Sequence, residues 1–437
     1  PSRRRVITAA AAGAVAFAAP FVVTRPARAA KTLRILQWNH FVPAFDSWFN
    51  GQYVKEWGKH NDTEVIVDNV GVTTLNSRAA AEVSSKRGHD LFLFLSPPPV
   101  YENQVVDMTD VYTEVENRHG KPVDLAVKST YNPKTKKYFA FSDSYVPDPI
   151  NYRKDLWDDV GLFPDDWDTV RKGGAQIKKK HGIPVGIGLS AELDTAMAMR
   201  AIMYSHGASV QNADGALILN SKPTLETVKF VKALYQEAMT PEVLAWDPSS
   251  NNRAMIAGQS SLVLNAISIT REAENKKLPI QKEIWLAKAA KGPVRRIGLE
   301  HVMNCYVIWN FAQNIDGAKK FLIDYIDNFE KAFVASEFYN FPSFPTTVPD
   351  LEKRIAYDAK AIPHDKYKVL GDVLTWATNV GYPGYATAAI DETFSTWVLN
   401  TMFAKAATGT SSPQDAVAEA EAACQQIWEK WKNRGLI

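Results

Sequence analysis

Cysteine is nearly absent from this chain. Cys305 and Cys424 are the two present in 437 residues. An oxidising compartment permits a disulfide between them, but Cys305 lies in an apolar, strand-like run, and both are read as buried thiols. The eight histidines are scattered. No H-x-x-x-H pair and no Cys/His cluster occurs, so no metal site is expected and no cofactor is implied. The G-x-S-x-G elbow of serine hydrolases is missing. Paired carboxylates exist, yet no spacing marks two of them as an acid/base couple. Past the N-terminal region there are no internal repeats, no low-complexity segments and no hydrophobic stretch long enough to span a membrane.

One long apolar run is present, and it opens the chain. Arg3-Arg4-Arg5 precede an Ala-rich stretch to Val23, followed by Ala27-Arg28-Ala29-Ala30. A basic head, an apolar middle and a small-x-small end describe a cleavable export signal rather than a membrane anchor. Paired arginines directly before the apolar run mark the twin-arginine variant, which exports folded chains. Cleavage is expected after Ala29. No Cys follows the cut, so no lipid anchor is expected there, and the mature chain is read as soluble outside the cytoplasm. Losing Arg3, Arg4, Arg5, Arg25 and Arg28 lowers Lys+Arg from 50 to 45 against 48 acids, and the formal charge from +2 to −3. The basic excess belongs to the signal, so no nucleic-acid partner is expected.

What remains is far longer than one typical domain, which argues for two lobes. Short apolar runs alternate with amphipathic segments: a strand at 33–38, a helix at 45–60, a strand at 64–67, a helix at 74–87 and a fully apolar strand at 90–94. This β-α-β-α-β order predicts a parallel sheet flanked by helices, with ligands at the carboxyl ends of its strands. A second α/β stretch follows. Strands are expected at 138–141, 184–189, 262–264 and 302–309, helices at 167–180, 224–239 and 317–327, and a turn at 155–157. Ser412-Pro413 caps a last helix with apolar residues at 417, 420, 424, 427, 428 and 431.

Four blocks then carry a resemblance. Gly88-His89-Asp90-Leu91-Phe92 is similar to a strand signature with a small residue and Asp before an aliphatic-aromatic run. Tyr152-Arg153-Lys154-Asp155-Leu156, with Gly161-Leu162 and Trp167, is similar to "Y-N-K-D-L-x-x-x-G-L … T-W-x-E". Met255 to Leu262 resembles "F-x-x-G-x-A-A-M", and Asn314 to Phe321 resembles "N-x-E-A-A-x-K-F". In this order, behind an export signal, they resemble the extracellular solute-binding proteins of ATP-driven importers, the large carbohydrate-type group. The resemblance implies an α/β fold of two lobes, each a mainly parallel sheet flanked by helices, joined by hinge crossovers. It places residues 30–142 with 298–344 in one lobe, and 143–297 with 345–437 in the other. It further implies a periplasmic, non-catalytic monomeric receptor that closes on a small sugar or polyol and delivers it to a membrane permease.

Candidate contacts follow from strand ends and crossovers. Trp38, Asn39, His40 and Phe41 end the first strand, where an aromatic face plus amide and imidazole donors suits a sugar. Ser96 follows the third strand. Asp143 and Tyr145 fall at the first crossover; Glu300, His301 and Asn304 fall near the second. Glu192 and Asp194 follow a strand end and serve either ligand hydroxyls or a helix N-terminus. Trp246 is a loop indole. Asn265 and Ser268 follow strand 262–264. Tyr382, Gly384 and Tyr385 form an aromatic loop that the resemblance brings to the cleft. Two rival readings stay open: a cationic solute such as a polyamine, caged by aromatics and acids, and an exported glycoside hydrolase. Gly186-Ile187-Gly188-Leu189-Ser190-Ala191 matches G-x-G-x-x-A, but lacks the acid that a dinucleotide site needs at a following strand's end.

Overall fold

A computed structural model describes residues 31–437; the predicted signal peptide, 1–29, lies outside them. The first five elements follow the expected order. Strands β1 (Lys31–Trp38), β2 (Thr63–Val70) and β3 (Leu91–Phe94) are linked by a nearly continuous helical stretch, 43–60, and by the helix Leu75–Ser85. β1 pairs parallel with both β2 and β3. Leu91-Phe92-Leu93-Phe94 is buried at every position and takes a central place, whereas β2, half-exposed along its length, takes the edge. A strand covered on both faces cannot tolerate polar side chains, and an edge strand can.

Apart from a short antiparallel hairpin of Tyr131–Asn132 with Lys137–Tyr138, the remaining strands are β4 (Phe141–Pro147), β5 (Ile150–Arg153), β6 (Val185–Gly186), β7 (Leu262–Leu264), β8 (Ile284–Ala287), β9 (Gly298–Ile308), β10 (Phe341–Pro342) and β11 (Ala377–Thr378). One seven-stranded sheet runs in the order β10-β4-β9-β3-β1-β2, with β11 added beside β9; a four-stranded sheet runs β8-β5-β7-β6. Two residues, Asp148 and Pro149, carry the chain from β4 in the first sheet to β5 in the second. The return runs from β8 to β9. The sheets are mixed, where mainly parallel ones were expected. β9 lies antiparallel to β3 and β4, and β5 antiparallel to β7 and β8. Helical crossovers enforce parallel pairing; these strands enter from the other sheet instead, and are free of that rule.

Two hydrophobic cores accompany the two sheets. The first draws its buried side chains mainly from 33–146 and 302–376, and the second from 150–264, 287–299 and 380–436. Cys305 is buried in the first core and Cys424 in the second, both as free thiols. Among the described residues no helix is long and apolar enough to cross a membrane.

Several local readings shift. The expected strand at 138–141 begins at Phe141 and runs on through Ser142-Asp143-Ser144, all buried. The turn at 155–157 is part of the helix Lys154–Asp159. The helix Leu193–Ser205 escaped notice because it is buried from Thr195 to Ser205 and so shows no amphipathic period. The last helix, Pro413–Asn433, begins as expected, with the Ser412 hydroxyl accepting the Asp415 amide.

A buried charge network ties the late segment 358–367 to the helix Ser268–Asn275. Arg271 reaches Asp358 at 2.6 Å and Glu274 at 3.1 Å, while Lys366 reaches Glu274 at 3.2 Å. Tyr367 donates to Glu274 at 2.8 Å, and the Arg271 guanidinium stacks on the Tyr367 ring at 4.0 Å. Removing one partner of such a network leaves uncompensated buried charge. Glu274→Ala should therefore lower unfolding free energy by about 3–5 kcal/mol, read from urea denaturation. A loss below about 1 kcal/mol, the range of exposed pairs, would show that water screens the network.

Candidate functional site

Loops at the carboxyl ends of β2 and β3 face the second sheet's helices across a cavity of about 340 Å³. On the first side stand Val72, Thr73, Leu75, Asn76, Leu95 and Ser96; on the second stand Ala191, Glu192, Leu193, Trp246, Asp247, Pro248, Phe394 and Trp397. An adjoining space of about 350 Å³ shares Asn76 and Ser96, and continues between Phe94, Pro97, Pro98, Val100 and Tyr101 on one side and Asp391 and Ser395 on the other. This is where open α/β sheets accept ligands. Neither lining contains Lys, Arg or His.

Three aromatic side chains give the first compartment its apolar surface. Trp246 leaves the loop before the helix Ser250–Ile256, and the Ser190 hydroxyl donates to its carbonyl at 2.6 Å. Phe394 lies near the end of the helix Ala388–Ser395, with the buried Arg200 guanidinium 4.7 Å from its ring centroid. Trp397 follows in the left-handed region, φ 60° and ψ 31°. A bulky residue there costs about 1–3 kcal/mol and persists where its surroundings dictate the conformation.

Behind the cavity lies a polar network. Glu192 caps the helix Leu193–Ser205, accepting the Asp194 amide at 2.6 Å and the Thr195 amide at 2.5 Å. Burial, with Asp194 nearby, raises its carboxyl above the usual range. Asp194 accepts from Asn251 Nδ2. Asn265 donates to Asn252, which donates to Ser268 at 3.1 Å. His301 stands between two acids: Nδ1 is 3.3 Å from Asp148 and Nε2 is 3.8 Å from Asp194. Burial alone would lower its pKa, but Asp194 and Asp148 outweigh it and hold the imidazole up at about 9. Glu300, the preceding residue, has no hydrogen-bond partner for either side-chain oxygen; burial drives its carboxyl well up, toward the neutral form.

Of the residues singled out in the sequence, Ser96, Glu192 and Trp246 line the cavity. Asp194, Asn265, Ser268 and His301 form the network behind it. Trp38, His40 and Phe41 pack together and against Tyr339. His40 Nδ1 accepts the Val42 amide and its Nε2 meets Asn340, while burial lowers its pKa to about 4. Asn39 is exposed, and its amide donates to Val70. Asp143 is buried beside Ser144, whose hydroxyl donates to it and accepts from Asn304. Burial raises the Asp143 carboxyl to about 7. Tyr145 lines a different groove, with Phe341, Pro345 and Val373. Tyr382, Gly384 and Tyr385 do not line the cavity. Gln211 Nε2 donates to the carbonyls of Gly381 and Tyr385, both at 2.8 Å, and holds that loop closed; Arg295 meets the Tyr382 hydroxyl. Asn76, Asp391, Phe394 and Trp397 were not singled out. Asp391, Phe394 and Trp397 recur every third position just after the aromatic loop, and that spacing was the available signal.

His301 carries a pH signature. Its folded pKa of about 9 lies above the ordinary 6.5, so its stabilising contribution is full below pH 6.5 and lost as pH rises through 9. The stability advantage of the parent chain over His301→Gln should shrink by about 1–3 kcal/mol across that window. Urea titrations at intervals of pH measure it; an advantage that stays flat or grows would contradict the ion-pair assignment.

Comparisons with known proteins fit this geometry. The family described as "Bacterial extracellular solute-binding protein" matches residues 43–337. A binding protein of Brucella abortus is 26% identical over 179 residues, 39% of this chain and 42% of that one. The chain thus spans less than half the length of the curated relative it matches. The maltose-bound MalE3 protein of T. maritima superposes with a TM-score of 0.75 at 17% identity, covering 91% of this chain and 100% of that one. A sugar transporter protein from Arthrobacter chlorophenolicus A6 with bound laminaribiose gives 0.75 at 15%, covering 91% and 99%. A solute-binding protein from Agrobacterium radiobacter K84 in complex with ribitol gives 0.69 at 17%, covering 91% and 98%.

Proposed function

The chain belongs to the bacterial extracellular solute-binding protein family, and on that premise we propose that it is a receptor for a small sugar or polyol. The observation that carries this reading is the cavity between the sheets, walled by Trp246, Phe394 and Trp397 and free of basic side chains. Aromatic faces suit the apolar C–H face of a sugar, while Asn76, Ser96 and Asp391 supply polar partners for hydroxyls. The bound sugars and the polyol of the structural relatives support the same class.

Ligand would act by closing the lobes. A ligand shifts an open–closed equilibrium only through contacts that differ between the two states. A cavity lined from both sheets supplies such contacts. The crossings at Asp148-Pro149 and near Gly298 are proposed as hinges; the expected bounds, 142/143 and 344/345, shift to Pro147 and to about Thr378, because the strand Phe141–Pro147 belongs to the first sheet. The buried side chains between Val348 and Trp376 pack with the first core, so a third crossing is proposed near Thr378. The mature chain would act as a periplasmic monomer, exported by the twin-arginine route, that hands its solute to a membrane permease and performs no chemistry.

Thermal-shift screening against maltose, laminaribiose, ribitol and tagatose tests the reading. A stabilisation of about 2.7 kcal/mol needs ligand near 100-fold over its dissociation constant. For a panel member that binds, Trp397→Ala and Trp246→Ala should each weaken affinity about tenfold or more, the effect of losing roughly 1.5–3 kcal/mol of buried aromatic contact. Calorimetric titration reads this directly, and unchanged affinity in both variants places the ligand elsewhere.

A further inference from the structure

We propose that Asp391 is the specificity-determining carboxylate of this cleft: it accepts hydrogen-bond donors, hydroxyl or amine, from a saturated ligand and turns away anionic analogues. This rests on the reading of the cavity as a sugar or polyol site.

Asp391 projects from the helix Ala388–Ser395 into the second compartment and is 8% exposed. Its side chain's one protein hydrogen bond among the described residues is accepted by Oδ2 from the Val100 amide at 3.2 Å. Val100 belongs to the opposite side of the cleft, so that bond already spans the cavity. Oδ1 is left for a ligand. The other two acids of the linings are occupied. Glu192 is consumed as a helix cap, and Asp247 pairs at the rim with Arg253 at 2.9 Å.

The linings themselves offer an anion no basic side chain; Arg253 is paired at the rim, and Arg200 lies buried against the Phe394 ring. Asp391 interacts electrostatically with Tyr101, Cys305 and Glu392, none of them cationic, and Glu392 is paired with Lys430 at 2.6 Å. Burial already raises the Asp391 carboxyl to about 7, against the opposing effect of the Val100 amide. A second negative charge placed beside it would meet a like charge and no basic side chain of the lining. Donor groups have the opposite effect. They satisfy Oδ1, favour the ionised form, and so strengthen the bond from Val100 to Oδ2. One carboxylate then couples ligand recognition to lobe closure.

The test is a matched panel run by thermal shift and calorimetry on the parent chain and on Asp391→Asn, which keeps an acceptor for Val100. The neutral members are maltose, laminaribiose, ribitol and tagatose; the amines are glucosamine and spermidine; the anions are glucuronate and glucose 6-phosphate. The parent chain should bind at least one neutral or amine member, with no shift from either anion. Binding confined to the amines identifies nitrogen as the donor; binding of neutral members identifies hydroxyl. Asp391→Asn should weaken the bound member at least tenfold. An anion bound as tightly as a neutral member overturns the proposal, and this arm does not depend on the variant folding. Equal affinity in Asp391→Asn also overturns it, while leaving the receptor reading intact. If no panel member binds, both fall.

Discussion

A strand with no water on either side leaves each charged group it carries either paired inside the protein or driven to its neutral form. β9 is such a strand, buried at all eleven positions from Gly298 to Ile308, and it holds Glu300, His301 and Asn304. Asn304 Nδ2 donates inside its own sheet to Ser144. His301 finds its partners outside that sheet: Asp148, in the passage between the sheets, and Asp194, at the head of a helix of the second sheet. Dehydration of one imidazole thus fixes the relation between three segments far apart in sequence. The neighbouring helix head, capped by Glu192, forms part of the cavity wall. That buried ion pair thus ties the strand of one sheet to the helix head that helps to wall the cavity.

The strands and helices of the first half were legible because burial and period agree. β3 is apolar throughout and central; the last helix has its cap, its proline and its stripe of buried positions. Legibility failed where burial removes the pattern. The helix Leu193–Ser205 is enclosed on every face, so no polar side marks its period. The strand Phe141–Pro147 carries serines and an aspartate that read as a loop, yet hydrogen bonds inside the fold allow them to be buried.

The candidate site was partly legible for a related reason. Strand ends pointed to the loops around the cavity, and Ser96, Glu192 and Trp246 line it. Sequence could not show which aromatic residues of the 382–397 segment face inward. Tyr382 and Tyr385 looked unemployed, but Gln211 and Arg295 engage their loop. The aromatic faces that line the cavity are those of Phe394 and Trp397, one with the Arg200 guanidinium against its ring and the other held in a left-handed backbone conformation. Fixed aromatic faces require such supports, since a ring free to turn gives a ligand little to choose between.

The two thiols have a consequence for how the molecule can be made. Cys305 sits in the core of one sheet and Cys424 in that of the other, each sealed by its own packing. Joining them would mean dismantling both cores, so an oxidant gains no purchase on the native fold. The native fold rests on no disulfide, so no bond on which it depends is broken by a reductant.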